Sequence, residues 1–254
     1  MLAAAGGLAP VSAGELQAAL QWGQRAELGT LVSGVVQEVA VRPGQQVDKG
    51  SLLLRLDARG FEAEVAGARA AVTQARVHFE EAEREHERAL ELYDRTVLSE
   101  HERQLAEIAY QDARARLQAA RAHRVQAELD LERSRLVAPY DAVVLQVRVG
   151  PGQVIVSDLQ SEPLVVVAER GRLVARGAVP SDELEALQPG ATVEVEVRGE
   201  RYEGVVSFLG LEPEQTGDGG PLYPVEVTLE TAAAPRLRVG QSATVRWDGA
   251  GSGG

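Results

Sequence analysis

Four side chains, His78, His86, His101 and His123, are the only imidazoles in the sequence. His78 and His86 lie eight residues apart on one predicted helix, a spacing of two turns, whereas a helical metal pair sits one turn apart. There is no cysteine and no methionine beyond Met1, which excludes disulfides, thiolate zinc sites and a methionine relay for soft metals. Carboxylates are abundant, but those that can be placed lie on helix faces among arginines, where pairing across one turn accounts for them. No phosphate-binding glycine loop followed by lysine occurs, and no nucleophile has a placeable base. The chain is therefore read as non-enzymatic, with no metal and no cofactor. A net charge of -12 without a localised basic patch also argues against nucleic acid as a partner.

The elements that carry these side chains are slim. Hydrophobic residues make up an ordinary 44%, but aromatics only 4%, so Ala, Val and Leu must form thin β-modules and close helix seams, not one thick core. Residues 1–13, MLAAAGGLAPVSA, end in the small-x-small form of a signal-peptidase site but lack a basic start; they read as a signal-peptide remnant or a flexible tail. No apolar run reaches eighteen residues, so no transmembrane span is expected, and residues 249–254 read as a disordered tail.

An interrupted internal repeat organises the chain. Residues 35–45 read VVQEVAVRPGQ and residues 143–153 read VVLQVRVGPGQ, with seven identities at a constant offset of 108. In each copy valines alternate at strand period, and Pro-Gly supplies the fixed φ and positive-φ freedom of a tight turn. Each copy thus predicts two short strands around one turn, and two such half-sheets can bury their apolar faces only against each other.

The segment between the copies has helical heptad periodicity. Phe61, Val65, Ala68, Val72, Ala75, Phe79, Ala82, His86, Ala89, Tyr93 and Thr96 follow alternating steps of four and three. Ala106, Tyr110, Ala113, Leu117, Ala120, Arg124, Ala127, Leu131 and Ser134 answer them on a returning arm. Ser99-Glu100-His101-Glu102 has capping-box form, which puts the turn near Leu98. Glu62 and Glu64 suit the first helical turn, and Arg133 and Arg135 the last. Arms of about 37 residues span roughly 55 Å. A further row, Leu105, Ile108, Ala115, Ala119, Ala122, Leu129 and Leu136, either serves neighbouring copies or widens the seam. Beyond Glu169, five alternating runs separated by turn residues predict a small antiparallel barrel. The stretch from Leu16 to Trp22 adds a strand to it, and Asp182 is read as the cap of a short helix reaching Leu187.

The ordered combination resembles the periplasmic adaptor, or membrane fusion, proteins of tripartite efflux and secretion systems. The resemblance covers residues 15–248 and rests on residues 33–57, the helical segment, residues 138–155 and the closing run LRVGQSATVRW, 237–247. Ala142 stands where the family usually has Gly. The implied fold is mixed α and β: a long antiparallel coiled-coil hairpin (58–137) inserted in a split lipoyl-like β-sandwich (29–57 and 138–168). A small β-barrel (169–248) follows, with residues 14–28 as its opening strand. The implied function is a periplasmic adaptor subunit, associated with the inner membrane through its partner, that bridges an inner-membrane transporter to an outer-membrane channel and self-associates into a ring or sleeve. The resemblance also assigns channel docking at the hairpin tip to Arg88, Leu92 and Ser99. Read as residues, Arg88 is equally a solvated helix charge, Leu92 a seam-flanking apolar side chain and Ser99 an N-cap.

Two other readings stay open. One is a lipoyl- or biotinyl-type carrier, which presents a modifiable lysine at the junction of the half-motifs; here Ala58 follows Asp57, and Lys49 lies eight residues too early. The other is a structural coiled-coil interaction protein.

Overall fold

The computed structural model describes residues 14–157, 163–217, 220–230 and 237–247; the readings of 1–13 and 249–254 lie outside them. The chain begins with strands β1 (Gly14–Trp22), β2 (Arg25–Leu28), β3 (Gly34–Val39), β4 (Gln46–Val47) and β5 (Leu52–Leu56). Helices α1 (Arg59–Asp94) and α2 (Glu100–Arg133) follow, then β6 (Arg135–Val137), β7 (Ala142–Val147), β8 (Val154–Ile155) and β9 (Val165–Glu169). The remainder is β10 (Arg172–Pro180), α3 (Ser181–Leu184), β11 (Thr192–Val197), β12 (Glu200–Leu209), β13 (Gln215–Gly217), β14 (Gly220–Glu230) and β15 (Ser242–Trp247). The chain divides into two compact units, residues 27–140 with 144–166, and residues 14–26 with 141–143 and the stretch from Val167 on. No described helix is long and apolar enough to cross a membrane.

In the unit with the C-terminal strands, six strands close on themselves in the order β10-β1-β15-β11-β12-β14, with β10 pairing back to β14 and β13 appended. Closure leaves no long free edge. Every alternate residue points inward: Leu16, Ala18 and Leu20 on β1, Val193, Val195 and Val197 on β11, Ala243, Val245 and Trp247 on β15. Gly177 permits the approach of β1 to β10, since a Cβ there would lie 2.5 Å from the Gln17 carbonyl oxygen. The short helix α3 starts and ends earlier than expected: Pro180, extended at φ -61 and ψ 160, is its N-cap, Asp182 lies inside the first turn, and the helix stops at Leu184, short of Leu187.

Two four-stranded sheets run in the orders β2-β9-β7-β4 and β6-β5-β3-β8, the second wholly within the other unit. Val36, Leu53, Leu54, Leu56, Val144, Val165 and Val166 are almost wholly buried. The repeat does not make two separate hairpins. The Val36 N–H donates to Gln153 O and Val36 O accepts from Gly152 N, both at 2.8 Å. Their counterparts 108 residues on or back are Val144 N to Gln45 O at 2.9 Å and Gly44 N to Val144 O at 2.7 Å. Each copy thus gives its turn to the strand of the other. Gly44 and Gly152 both hold φ +84, and the Gln45 and Gln153 side chains both accept from the backbone N–H three residues earlier. The same unit recurs in the barrel: Gly240 N and Gln241 O bond Leu20, with φ +85 at Gly240, and Gly190 N and Ala191 O bond Val206, with φ +86 at Gly190.

Helices α1 and α2 leave β5 and return to β6. Val65 and Ala68 pack with Ala127 and Leu131, Phe79 and His86 meet Tyr110, and Tyr93 meets Arg103, so the helices run antiparallel; Glu64 to His123, Arg69 to Glu128 and His86 to Glu107 link them across the pair. The buried helical residues, Val65, Ala68, Val72 and Ala89 on α1 and Ala113, Leu117 and Ala127 on α2, are all positions of the heptad stepping. Arg135, expected in the last helical turn, and Leu136, expected on the α2 row, lie on β6 instead. Ser134, fully buried, turns its hydroxyl onto Leu131 O and its own carbonyl accepts from Leu56 N, so the backbone passes from helix to sheet at that residue.

Candidate functional site

Of the three residues singled out for docking, Ser99 lies at the turn between α1 and α2, and Arg88 and Leu92 lie on the last two turns of α1. α1 stops at Asp94, and Thr96, counted above as a seam residue, takes a left-handed conformation with φ +58. The Val97 N–H donates to Leu92 O at 2.9 Å and Thr96 N–H to Tyr93 O at 2.8 Å, the paired bonds of a Schellman motif with threonine where glycine is usual. A β-branched residue at positive φ is strained, and the two bonds hold it there. Ser99, extended at φ -76 and ψ 154, then caps α2. Its Oγ accepts from Glu102 N at 3.3 Å, and Glu102 Oε2 accepts from Ser99 N at 3.0 Å, the reciprocal bonds of a capping box.

Each docking residue therefore has a local duty. The Leu92 carbonyl closes α1, Ser99 opens α2, and Arg88 pairs with Glu85 one turn back at 2.7 Å while remaining largely exposed. Beside them Val97 is 71% exposed, the most exposed large apolar side chain of the turn.

Below the turn runs a polar and aromatic ladder, in which His86 is one position of the heptad stepping. His86 stacks on Tyr110 with ring centroids 5.1 Å apart, and Tyr110 meets Phe79 at 5.5 Å. His86 Nε2 lies 3.1 Å from Glu107 Oε2. Two turns nearer the end, the Arg103 guanidinium sits 5.5 Å from the Tyr93 ring centroid and bridges to Glu100 at 2.7 Å. Arg103, helped by Gln104 and Tyr93, holds the Glu100 carboxyl down at about 2. The signal was available: Phe79, His86 and Tyr93 recur every seven residues, as do Arg103 and Tyr110 facing them. At the opposite end of α1, the Arg59 side chain and N–H both bind Asp57 and lower its carboxyl to about 2. Asp57 thus anchors the helix start although Ala58 is its N-cap.

Residues 24–169 match the model of a family described as CzcB-like, barrel-sandwich hybrid domain. The chain is 26% identical over 212 residues to the macrolide export protein MacA of Escherichia coli, covering 77% of this chain and 57% of that protein. It therefore spans little more than half the length of that relative. Among solved structures it resembles a membrane fusion protein of Streptococcus pneumoniae, with a TM-score of 0.71 at 18% identity, over 91% of this chain and 97% of that one. A MacA-MexA chimera containing the MexA α-hairpin domain of Pseudomonas aeruginosa gives a TM-score of 0.69 at 21% identity, over 94% and 79% of the two chains. At these identities the likeness speaks for the fold.

Proposed function

The chain belongs to the family of CzcB-like barrel-sandwich hybrid domains, and from that premise we propose that it is the periplasmic adaptor subunit of a tripartite efflux system. It bridges an inner-membrane transporter to an outer-membrane channel, lies at the inner membrane through its partner, and performs no catalysis. In this reading the two four-stranded sheets are a split lipoyl-like domain, and α1 with α2 is a coiled-coil hairpin that reaches the channel. The observation that carries it is the reciprocal exchange of turns between the two repeat halves. That exchange ties the start of α1 and the end of α2 into one double sheet, a firm base for a long two-helix arm. Arg88 and Leu92 supply the charge and the apolar contact of docking, and Ser99 shapes the turn that presents them. Several copies side by side form the sleeve.

Arg88→Glu leaves the seam untouched, so export should be lost while helicity and melting temperature stay close to native. Full export and channel cross-linking in both Arg88→Glu and Leu92→Ala would overturn the docking assignment. Unchanged export on deletion of the gene, with no transporter or channel recovered by pull-down, would overturn the adaptor reading itself. A lipoyl or biotinyl mass on Lys49, the single lysine of the chain, would replace it with the carrier reading.

A further inference from the structure

One face of α2 has no partner among the described residues. Leu105, Ile108, Ala115, Ala119, Ala122 and Leu129 lie on it in alternating steps of three and four, with Asp112 and Gln126 completing the series. All are exposed, Leu105 at 51%, Ile108 at 63% and Leu129 at 37%. This is a second heptad seam on the outside of the helix pair.

Charge selects what covers it. The half of the pair near the turn, residues 80–112, carries eleven carboxylates against four arginines. The base half, residues 59–79 and 113–133, carries eight arginines against five carboxylates. Two copies packed in parallel would set acidic half against acidic half. Two copies packed antiparallel set acidic against basic.

The seam also reads nearly the same in both directions. Run against a second copy, Leu105 faces Leu129, Ile108 faces Gln126, Asp112 faces Ala122, and Ala115 faces Ala119. The four alanines at the centre allow the helices to approach closely, with a leucine pair at each end. In that register the exposed Val97 of one copy comes level with Val137 of the other, at a groove of about 670 Å³ whose apolar side chains, Leu129, Leu131 and Val137, lie among two arginines and two glutamates.

We propose that a second copy of this chain docks antiparallel on the outer face of α2, turn to base. The pair occupies both the outer row and the turn, so it is a resting form that must open before either is offered to another protein. This goes beyond the adaptor reading and does not depend on it.

Because the chain contains no cysteine, single-cysteine variants report unambiguously. Leu105→Cys and Leu129→Cys replace exposed side chains, and circular dichroism verifies that both fold. Under mild oxidation an equal mixture of the two should yield a covalent dimer, with little or none from either alone. Each variant linking to itself, the mark of parallel pairing, would overturn the proposal, as would a mixture with no cross-link. Export by the native chain is scored separately and tests only the adaptor reading.

Discussion

Near its base, the helix pair buries Val65 and Val72, with Leu131 packed against the cluster of Val65, Ala68 and Ala127; near the turn, the same row of α1 continues as Phe79, His86 and Tyr93. The second row does not change, being alanine at 68, 75, 82 and 89 on α1 and at 106, 113, 120 and 127 on α2. Alanine allows close approach in both halves alike, so the difference in side chains lies in one row alone. Aliphatic layers supply burial but tolerate a slip of one heptad, because each layer resembles the next. The ladder does not: a slip would separate His86 from Tyr110 and Glu107, and Arg103 from Tyr93. The base half contributes stability and the turn half fixes the register.

The sharpest way to break this comparison is Leu117→Ala, which removes the largest side chain buried on α2. It should cost about 3 kcal/mol, read as a lower melting temperature and lost amide protection along both helices. A loss below about 1 kcal/mol would mean that the aliphatic row is not the source of stability. Ser99→Ala deletes one partner of the capping box and should cost about 1 kcal/mol, with amide exchange rising mainly at residues 100–103. Thr96→Gly has the opposite sign: relief of the left-handed threonine should raise stability by roughly 0.5–1 kcal/mol, and a melting temperature that falls would contradict the strain.

Replacing His86, Tyr93, Arg103 and Tyr110 together by leucine removes both polar rungs and leaves Phe79 as the one aromatic of the row. Melting temperature should hold within the equivalent of about 1 kcal/mol, while spin-label distances across the pair broaden. Narrow, native distances would show that register is set elsewhere. The smallest effect is a titration. Glu100 is lowered from the ordinary 4.5 to about 2. A depressed carboxylate stabilises the folded chain fully above its unfolded value, so this contribution is present above about 4.5 and is lost as pH falls towards 2. Arg103→Met removes the largest cause and should raise the Glu100 titration, followed by NMR, towards 4.5.

Much of this architecture can be read from local pattern. Heptad stepping identified all the buried residues of α1 and α2, because a helix repeats its burial every three or four residues whatever it packs against. The capping box at Ser99 and Glu102 was equally plain, since both partners lie within four residues. Thr96 was not, because a strained turn leaves no compositional mark when glycine is absent. The polar ladder was half visible: its spacing stood in the sequence, but which residue of α2 meets His86 depends on the register of two helices.

By itself the sequence determined the elements, the site of the turn, the family and the absence of thiol chemistry, all of which follow from residue types and short spacings. Only the tertiary structure decided that each Pro-Gly turn serves the other copy of the repeat, because two near-identical strands offer the same hydrogen bonds and only the closed double sheet selects the exchange. It likewise moved Arg135 from helix to strand, since the edge of β5 offers backbone partners that a last helical turn lacks. It also left the outer row of α2 exposed, because two helices joined by one short turn can cover only the faces they turn to each other.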